Sequence, residues 1–316
     1  MQIGSTQILD TYAEAFGARH TRLIITAADD YWLDSALRSL TGYGTSVIGC
    51  DAEAGVEQML APSESPDGRP GAAVLLFAFS AEAVGTAATH RVAQCVLTCP
   101  TTACFNGLTG VEESVSLGKY LRYFGDGFER KETLERPEVR GERQEEDISG
   151  SDLSPLASRL CWYIPVMDGE FIIEATAGVA KGVAGGNFIL QAESKAAGLV
   201  AARRASESIV GLAGVITPFP GGVCRSGSKV GSKYKALKAS IADGYCPTLR
   251  SQVKSKLVDG AQCAYEIVID GVDQSAVATA MRTGIDVAAG AGVLAIGAGN
   301  YGGKLGKYSI KLHELF

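Results

Sequence analysis

The chain has 316 residues and a formal net charge of −6, with 46% hydrophobic and 20% charged residues. That length accommodates two domains of ordinary size, each able to bury its own core, and the composition is globular rather than disordered. The acidic balance argues against a general nucleic-acid binder. The lack of a long apolar run and of a basic-then-apolar leader points to a cytoplasmic protein without a membrane partner.

Taken in chain order, TRLIITAA (21–28) reads as a strand and DYWLDSALRSL (30–40) as a helix. TSVIGC (45–50) is the next strand candidate, and after the polar turn ESPDGRPG (64–71) comes the strand AAVLLFAF (72–79). A helix over 81–98 and a short strand near 103–106 complete a βαββαβ order. The segment 129–155 is densely charged and poor in apolar residues. It reads as a solvated linker or insertion, with a docking arm for a partner protein as the rival.

The second half repeats the order. NFILQAES (187–194) is a strand, and 195–212 a helix with Leu199, Ala202 and Ile209 along one face. VITPF (215–219) and AYEIVID (264–270) are strands. The helix over 274–289 carries Val277, Ala280, Met281, Ile285 and Ala288 as an apolar stripe at helical spacing. Strands over 292–299 and 307–315 close the half. The predicted fold class is α+β, two ferredoxin-like βαββαβ lobes in tandem, residues 1–155 and 156–316; a Rossmann-type parallel sheet is the rival.

Residues 218–233, PFPGGVCRSGSKVGSK, cannot form a regular helix. Gly221 and Gly222 can free backbone N–H groups, and Arg225, Ser226, Ser228, Lys229 and Lys233 supply charge and donors, so the segment fits a cradle for an anion. The bland alternative is a glycine-rich turn with surface cations. GVCRSGSK (222–229) narrowly misses the nucleotide phosphate loop because its last two residues are exchanged.

Cysteines 95, 99 and 104 beside His90 lack the paired spacing of structural zinc, and free cysteine behaves as a small hydrophobe, so core packing is expected and no metal. His20, His90 and His313 accompany no G-x-S-x-G elbow, and His313 reads as a structural imidazole. Glu266, inside AYEIVID, is the carboxylate that stands out. In a dry strand its pKa rises and it can keep a proton to donate; pointing outward, it would be an ordinary surface acid.

Together the motifs resemble the formylmethanofuran:tetrahydromethanopterin formyltransferase family. The residues that carry the likeness include TYAEAF (11–16), GYGTSVIGCDAEAG (42–55), SPDGRPG (65–71), AQCVLTCPTTACF (93–105) and YFGDGF (123–128). VMDGEFIIE (166–174), VAGGNF (183–188), PFPGG (218–222), SGSKVGSK (226–233), YCPT (245–248), YEIVIDG (265–271) and AGNYGGKLG (298–306) continue it. The resemblance implies two ferredoxin-like lobes and a homo-oligomer, a tetramer built as a dimer of dimers. It implies formyl transfer between N5 of tetrahydromethanopterin and the amine of methanofuran or an analogue. Both carriers are then substrates, and no cofactor is tightly bound. Glu266 takes the place of the family's glutamate at the reaction centre.

The CVLTCPTT wording is similar to bacterial members, which implies companion subunits of a formyltransferase/hydrolase complex. A non-catalytic carrier-binding subunit is the alternative. On this reading Arg225, Lys229 and Lys233 hold a carboxylate-bearing carrier tail. Gly185, Gly186, Asn187, Asn300, Tyr301 and Lys304, at strand ends of the second lobe, are further expected substrate contacts.

Overall fold

A computed structural model describes residues 1–134 and 159–316. They form two compact units, an N-unit of Arg19–Gly44 and Asp51–Ala180 and a C-unit of Met1–Ala18, Thr45–Cys50 and Lys181–Phe316.

In the N-unit the part from Arg19 onward of the strand Tyr12–Thr26 leads into the helix Asp30–Thr41, then the strands Glu53–Leu60 and Gly71–Ala78, the helix Ala81–Arg91 and the strand Ala103–Asn106. Asp29 accepts from the amides of Tyr31 and Trp32, and Ser80 from that of Ala83, which caps both helices. The fourth strand pairs the first, the first pairs the third and the third pairs the second, all antiparallel. Every residue of Gly71–Ala78 is buried, as a central strand requires. Leu23, Ile25, Leu33, Leu40, Val74 and Leu76 share one core.

The C-unit repeats the scheme. The strand Thr176–Ala192, in this unit from Lys181, is followed by the helix Lys195–Ile209, the strands Val215–Ile216 and Cys263–Gly271, the helix Gln274–Ala288 and the strand Val293–Gly297. Its strands pair in the same order and sense, with Phe188 opposite Ile267 and Leu190 opposite Ile296. The stripe expected on Gln274–Ala288 is buried throughout, in one core with Phe188, Leu190, Ile267 and Ile269.

Several expectations need correction. Residues 45–50 are a turn: Ser46 O accepts from the amides of Gly49 at 3.0 Å and Cys50 at 2.9 Å, leaving Ile48 exposed. The strand is Glu53–Leu60, whose buried Glu53 and Glu57 disguise its apolar face. Arg22 donates to Glu57 through Nε at 2.6 Å and a second nitrogen at 2.8 Å, which makes that burial tolerable. On Lys195–Ile209 the buried face holds Ala202 and Ile209 but not Leu199, which is 54% exposed.

The units also divide the chain elsewhere than at 155/156, a boundary that lies outside the described residues along with most of the charged segment. Residues 1–18 belong to the C-unit because Thr6–Ile8 runs parallel to Val293–Gly297, and Tyr12 to Ala15 pair with Tyr308–Lys311. The hairpin Arg159–Val166 and Gly169–Glu174 joins the N-unit through parallel pairing with Ala103–Asn106. The first residues of the charged segment are no linker: Arg130–Leu134 is a strand on Arg159–Val166, with Arg130 stacked 4.4 Å over the Tyr163 ring. No helix among the described residues is long and apolar enough to cross a membrane.

Candidate active site

Strand alternation places the site. Phe188, Leu190 and Ile267 face the core, so Asn187, Ile189 and Glu266 share the opposite face, with Ile189 directly across from Glu266. Above that face lies a cavity of about 260 Å³, entirely within the C-unit, lined by Glu266, Asn187, Tyr245, Lys256, Asn300 and Tyr301 among others.

The glycine-rich segment forms one wall. Cys224 and Glu266 exchange backbone hydrogen bonds of 2.8 and 2.9 Å, which draws the segment against the strand. Gly227 and Gly299 then lie beside the carboxyl, where β-carbons would make ordinary contacts of 3.5 Å to Glu266 Oε2 and 3.6 Å to Oε1, while one on Gly227 would also collide with Ala242 Cβ at 2.7 Å. The φ of +54° at Gly227 adds a second reason for glycine.

Glu266 is half-buried, and its carboxyl makes no hydrogen bond or ion pair among the described residues. Burial pushes its pKa up to about 7. A buried acid without a partner lowers its cost by holding a proton, so near neutrality both forms are populated. Tyr245 lies beside it; burial, and secondarily the charge of Glu266, raise the phenol. Lys256 Nζ sits 5.6 Å from the centre of the Tyr245 ring. Lys229 is ion-paired with Asp243 at the cavity wall and holds that carboxyl below its usual range.

The expected residues separate. The cavity gathers Glu266, Asn187, Ser228, Lys229, Asn300 and Tyr301. Within it Asn187 serves as a staple: its Oδ1 accepts from the Gly299 amide at 2.6 Å, and its Nδ2 donates to the carbonyls of Gly185 at 3.1 Å and Gly299 at 3.2 Å. Tyr301 and Ser228 place their hydroxyls 3.3 Å apart.

Arg225, Ser226, Lys233 and Lys304 are exposed and do not line the cavity. The remaining glycines have packing reasons. Gly185 forms a bulge at φ +81° and donates to Asp270 Oδ1 at 2.8 Å. A β-carbon on Gly186 would fall 2.2 Å from Val277 Cγ1, and one on Gly222 1.9 Å from Ser206 Oγ. Gly221 takes a φ of +63° inside a tight turn.

Tyr245, Lys254 and Lys256 line the cavity without having been singled out. The available signals were the YCPT motif at 245–248 and the alternation of Lys254 and Lys256 in an extended stretch. Cys104 is fully buried and Cys95 and Cys99 pack partly against the N-unit core, as expected of small hydrophobes. Burial raises all three thiols. His313 places Nε2 2.9 Å from the Ile8 carbonyl, a structural contact.

Comparison with known proteins agrees along the whole chain. The family model described as formylmethanofuran-tetrahydromethanopterin formyltransferase matches residues 1–140, and that described as FTR, proximal lobe, matches 169–315. The formylmethanofuran–tetrahydromethanopterin formyltransferase of Rhodopirellula baltica is 46% identical, covering 100% of this chain and 93% of the relative. That of Methanosarcina mazei is 43% identical, with 100% of both covered. The crystal structure of the formyltransferase/hydrolase complex from Methylorubrum extorquens with methylofuran contains a chain matching at TM-score 0.89 and 41% identity, covering 100% of this chain and 98% of that one. With both family models in register and whole-length identity above two-fifths, this chain belongs to the formylmethanofuran–tetrahydromethanopterin formyltransferase family.

Proposed function

We propose that the chain transfers a formyl group between N5 of tetrahydromethanopterin and the amine of methanofuran or an analogue, directly between the two bound carriers, with Glu266 as the acid at the reacting carbon. The observation that carries the reading is an unpartnered carboxyl with a pKa near 7 at the floor of a polar cavity, in a chain of this family.

The acceptor nitrogen attacks the formyl carbon and the carbonyl oxygen becomes an oxyanion. The C–N bond to the donor then breaks, and the donor nitrogen leaves with a proton. Neutral Glu266 donates a hydrogen bond to the oxyanion, an interaction that strengthens as charge develops. Its proximity to neutral pKa also lets it pass the proton between the two nitrogens. Binding both carriers in one orientation and keeping water from the formyl carbon supply the remainder. Lys229, Lys254 and Lys256 in the cavity, with Arg225 and Lys233 outside it, suit the carboxylate-bearing tail of a carrier.

Each unit is read as a ferredoxin-like lobe. Support comes from the shared βαββαβ order and from the antiparallel strand order four-one-three-two in both. The match to a formyltransferase/hydrolase complex supports companion subunits for this chain; self-association is part of the same reading on the family resemblance alone.

A formyl-transfer assay with purified protein tests the central claim and separates an enzyme from a subunit that only binds carriers. Glu266→Gln keeps a donor but not a transferable proton and should lose about 10-fold in kcat; Glu266→Ala should lose on the order of 10²–10³-fold. Near-normal turnover in the alanine variant would remove Glu266 from the mechanism.

A further inference from the structure

Glu14 lies far from the cavity in sequence and is 1% exposed. Its Oε2 accepts from the amides of Tyr301 at 2.7 Å and Gly303 at 2.8 Å. Its Oε1 accepts from Leu305 at 2.7 Å and Gly306 at 2.6 Å. Both oxygens are thus filled by one loop. The loop can curl around them because Gly302 and Gly303 adopt φ of +79° and +71°. At Gly306 a β-carbon would stand 2.6 Å from Glu14 Cγ.

Asn300 adds two longer bonds, its Nδ2 donating to the Tyr12 carbonyl at 3.3 Å and its Oδ1 accepting from the Gly302 amide at 3.2 Å, but beyond Tyr301 little else holds the loop. Residues 302 to 305 are exposed, and Leu305 leaves 54% of its surface in solvent, so apolar burial contributes little there. Four charge-assisted hydrogen bonds to one carboxylate do. The same loop begins with Asn300 and Tyr301, which line the cavity holding Glu266. Phe16, two residues from Glu14 along its strand, packs its ring 5.9 Å from that of Tyr301.

We infer that Glu14 is a positioning residue for the formyl-transfer site, its carboxylate fixing the 300–306 loop so that Asn300 and Tyr301 hold one wall of the cavity in place for a carrier. The inference rests on the function proposed above. The loop's N–H groups at 301, 303, 305 and 306 are thereby spent on an internal anion, which leaves side chains such as those of Asn300 and Tyr301 to meet a substrate.

Glu14→Gln tests it. The amide side chain offers one acceptor and sets an NH₂ against the other pair of donors, while Glu14→Asp keeps the charge but retracts it by one methylene. In Glu14→Gln, hydrogen exchange at the four loop amides should accelerate about 100-fold, read without any carrier present. Equilibrium dissociation constants and KM for at least one of the two carriers should rise about 10-fold, with kcat within about threefold of wild type. Glu14→Asp should fall between, and the effect should shrink in a Tyr301→Ala background because the two residues act through one element.

Loop amides that are released while both carriers bind and turn over as before would overturn the inference, as would a collapse of kcat at unchanged KM. If Glu14→Gln does not fold, Glu14→Asp decides by the same two readouts. Exchange and equilibrium binding do not depend on turnover. An inactive wild-type protein therefore counts against formyl transfer and leaves the anchoring role to be judged on its own measurements.

Discussion

Two glutamates in the C-unit, Glu14 buried and Glu266 half-buried, are driven in opposite directions. Around Glu266 only desolvation acts, and the carboxyl rises to about 7. Around Glu14 desolvation also raises the pKa, but four backbone N–H groups outweigh it and hold the carboxyl at about 2. The consequences for stability have opposite signs. Glu266, raised above its unfolded value, contributes stability that is complete below about pH 4.5 and is lost as the pH climbs through about 7. Glu266→Gln should therefore melt higher than wild type above about pH 7, by calorimetry. Glu14 contributes above about pH 4.5 and loses that contribution as the pH falls toward 2, so acid unfolding should be shallower in Glu14→Gln.

On the proposed mechanism, activity should follow the same residue. If the protonated carboxyl donates to the oxyanion, kcat/KM declines as pH rises through about 7, and Glu266→Gln removes that limb. A wild-type limb rising through the same pH would instead make Glu266 a base and overturn the donor role.

At the scale of elements, the C-unit depends on close approaches that glycine alone allows. Gly186 lies where a β-carbon would meet Val277 Cγ1 at 2.2 Å, so strand Thr176–Ala192 and helix Gln274–Ala288 touch backbone to side chain. Gly186→Ala should cost about 1–3 kcal/mol through overpacking, measured by denaturant unfolding. Val277→Ala removes the opposing methyls. The double variant should be more stable than the sum of the two single losses predicts, a coupling that an open site would not show.

For the molecule as a whole, the pairing of residues 6–15 with the end of the chain predicts how it tolerates cutting. A fragment of residues 156–316 lacks the strand Thr6–Ile8, which pairs Ala295 and Ile296, and the partner of Tyr308–Lys311. It also carries the hairpin Arg159–Glu174 without the Ala103–Asn106 strand it pairs with. Exposed sheet edges of this kind associate. The fragment should aggregate or fail to show a cooperative melt by circular dichroism, and fusing residues 1–18 to it should recover soluble protein. A cooperative monomer from 156–316 alone would refute the assignment of the N-terminal strands to the C-unit.

Local chemistry already written in the sequence determined much of this protein. The helical stripe of 274–289, the apolar run at 72–79 and the repeated βαββαβ order follow from periodicity and side-chain polarity within a few residues, whereas Glu266 could be marked out but not assigned a dry or a solvent-facing side. What depends on partners distant in the chain could not be read there. Glu53 and Glu57 masked a strand until Arg22 was placed beside Glu57. Glycines that looked like ligand contacts serve helix packing and turns, and Glu14 and Tyr245 acquire their significance from segments far away in sequence. Tertiary structure decided these because burial and hydrogen-bond partnership, which set the energy of a charge or the room for a β-carbon, are properties of neighbours in space.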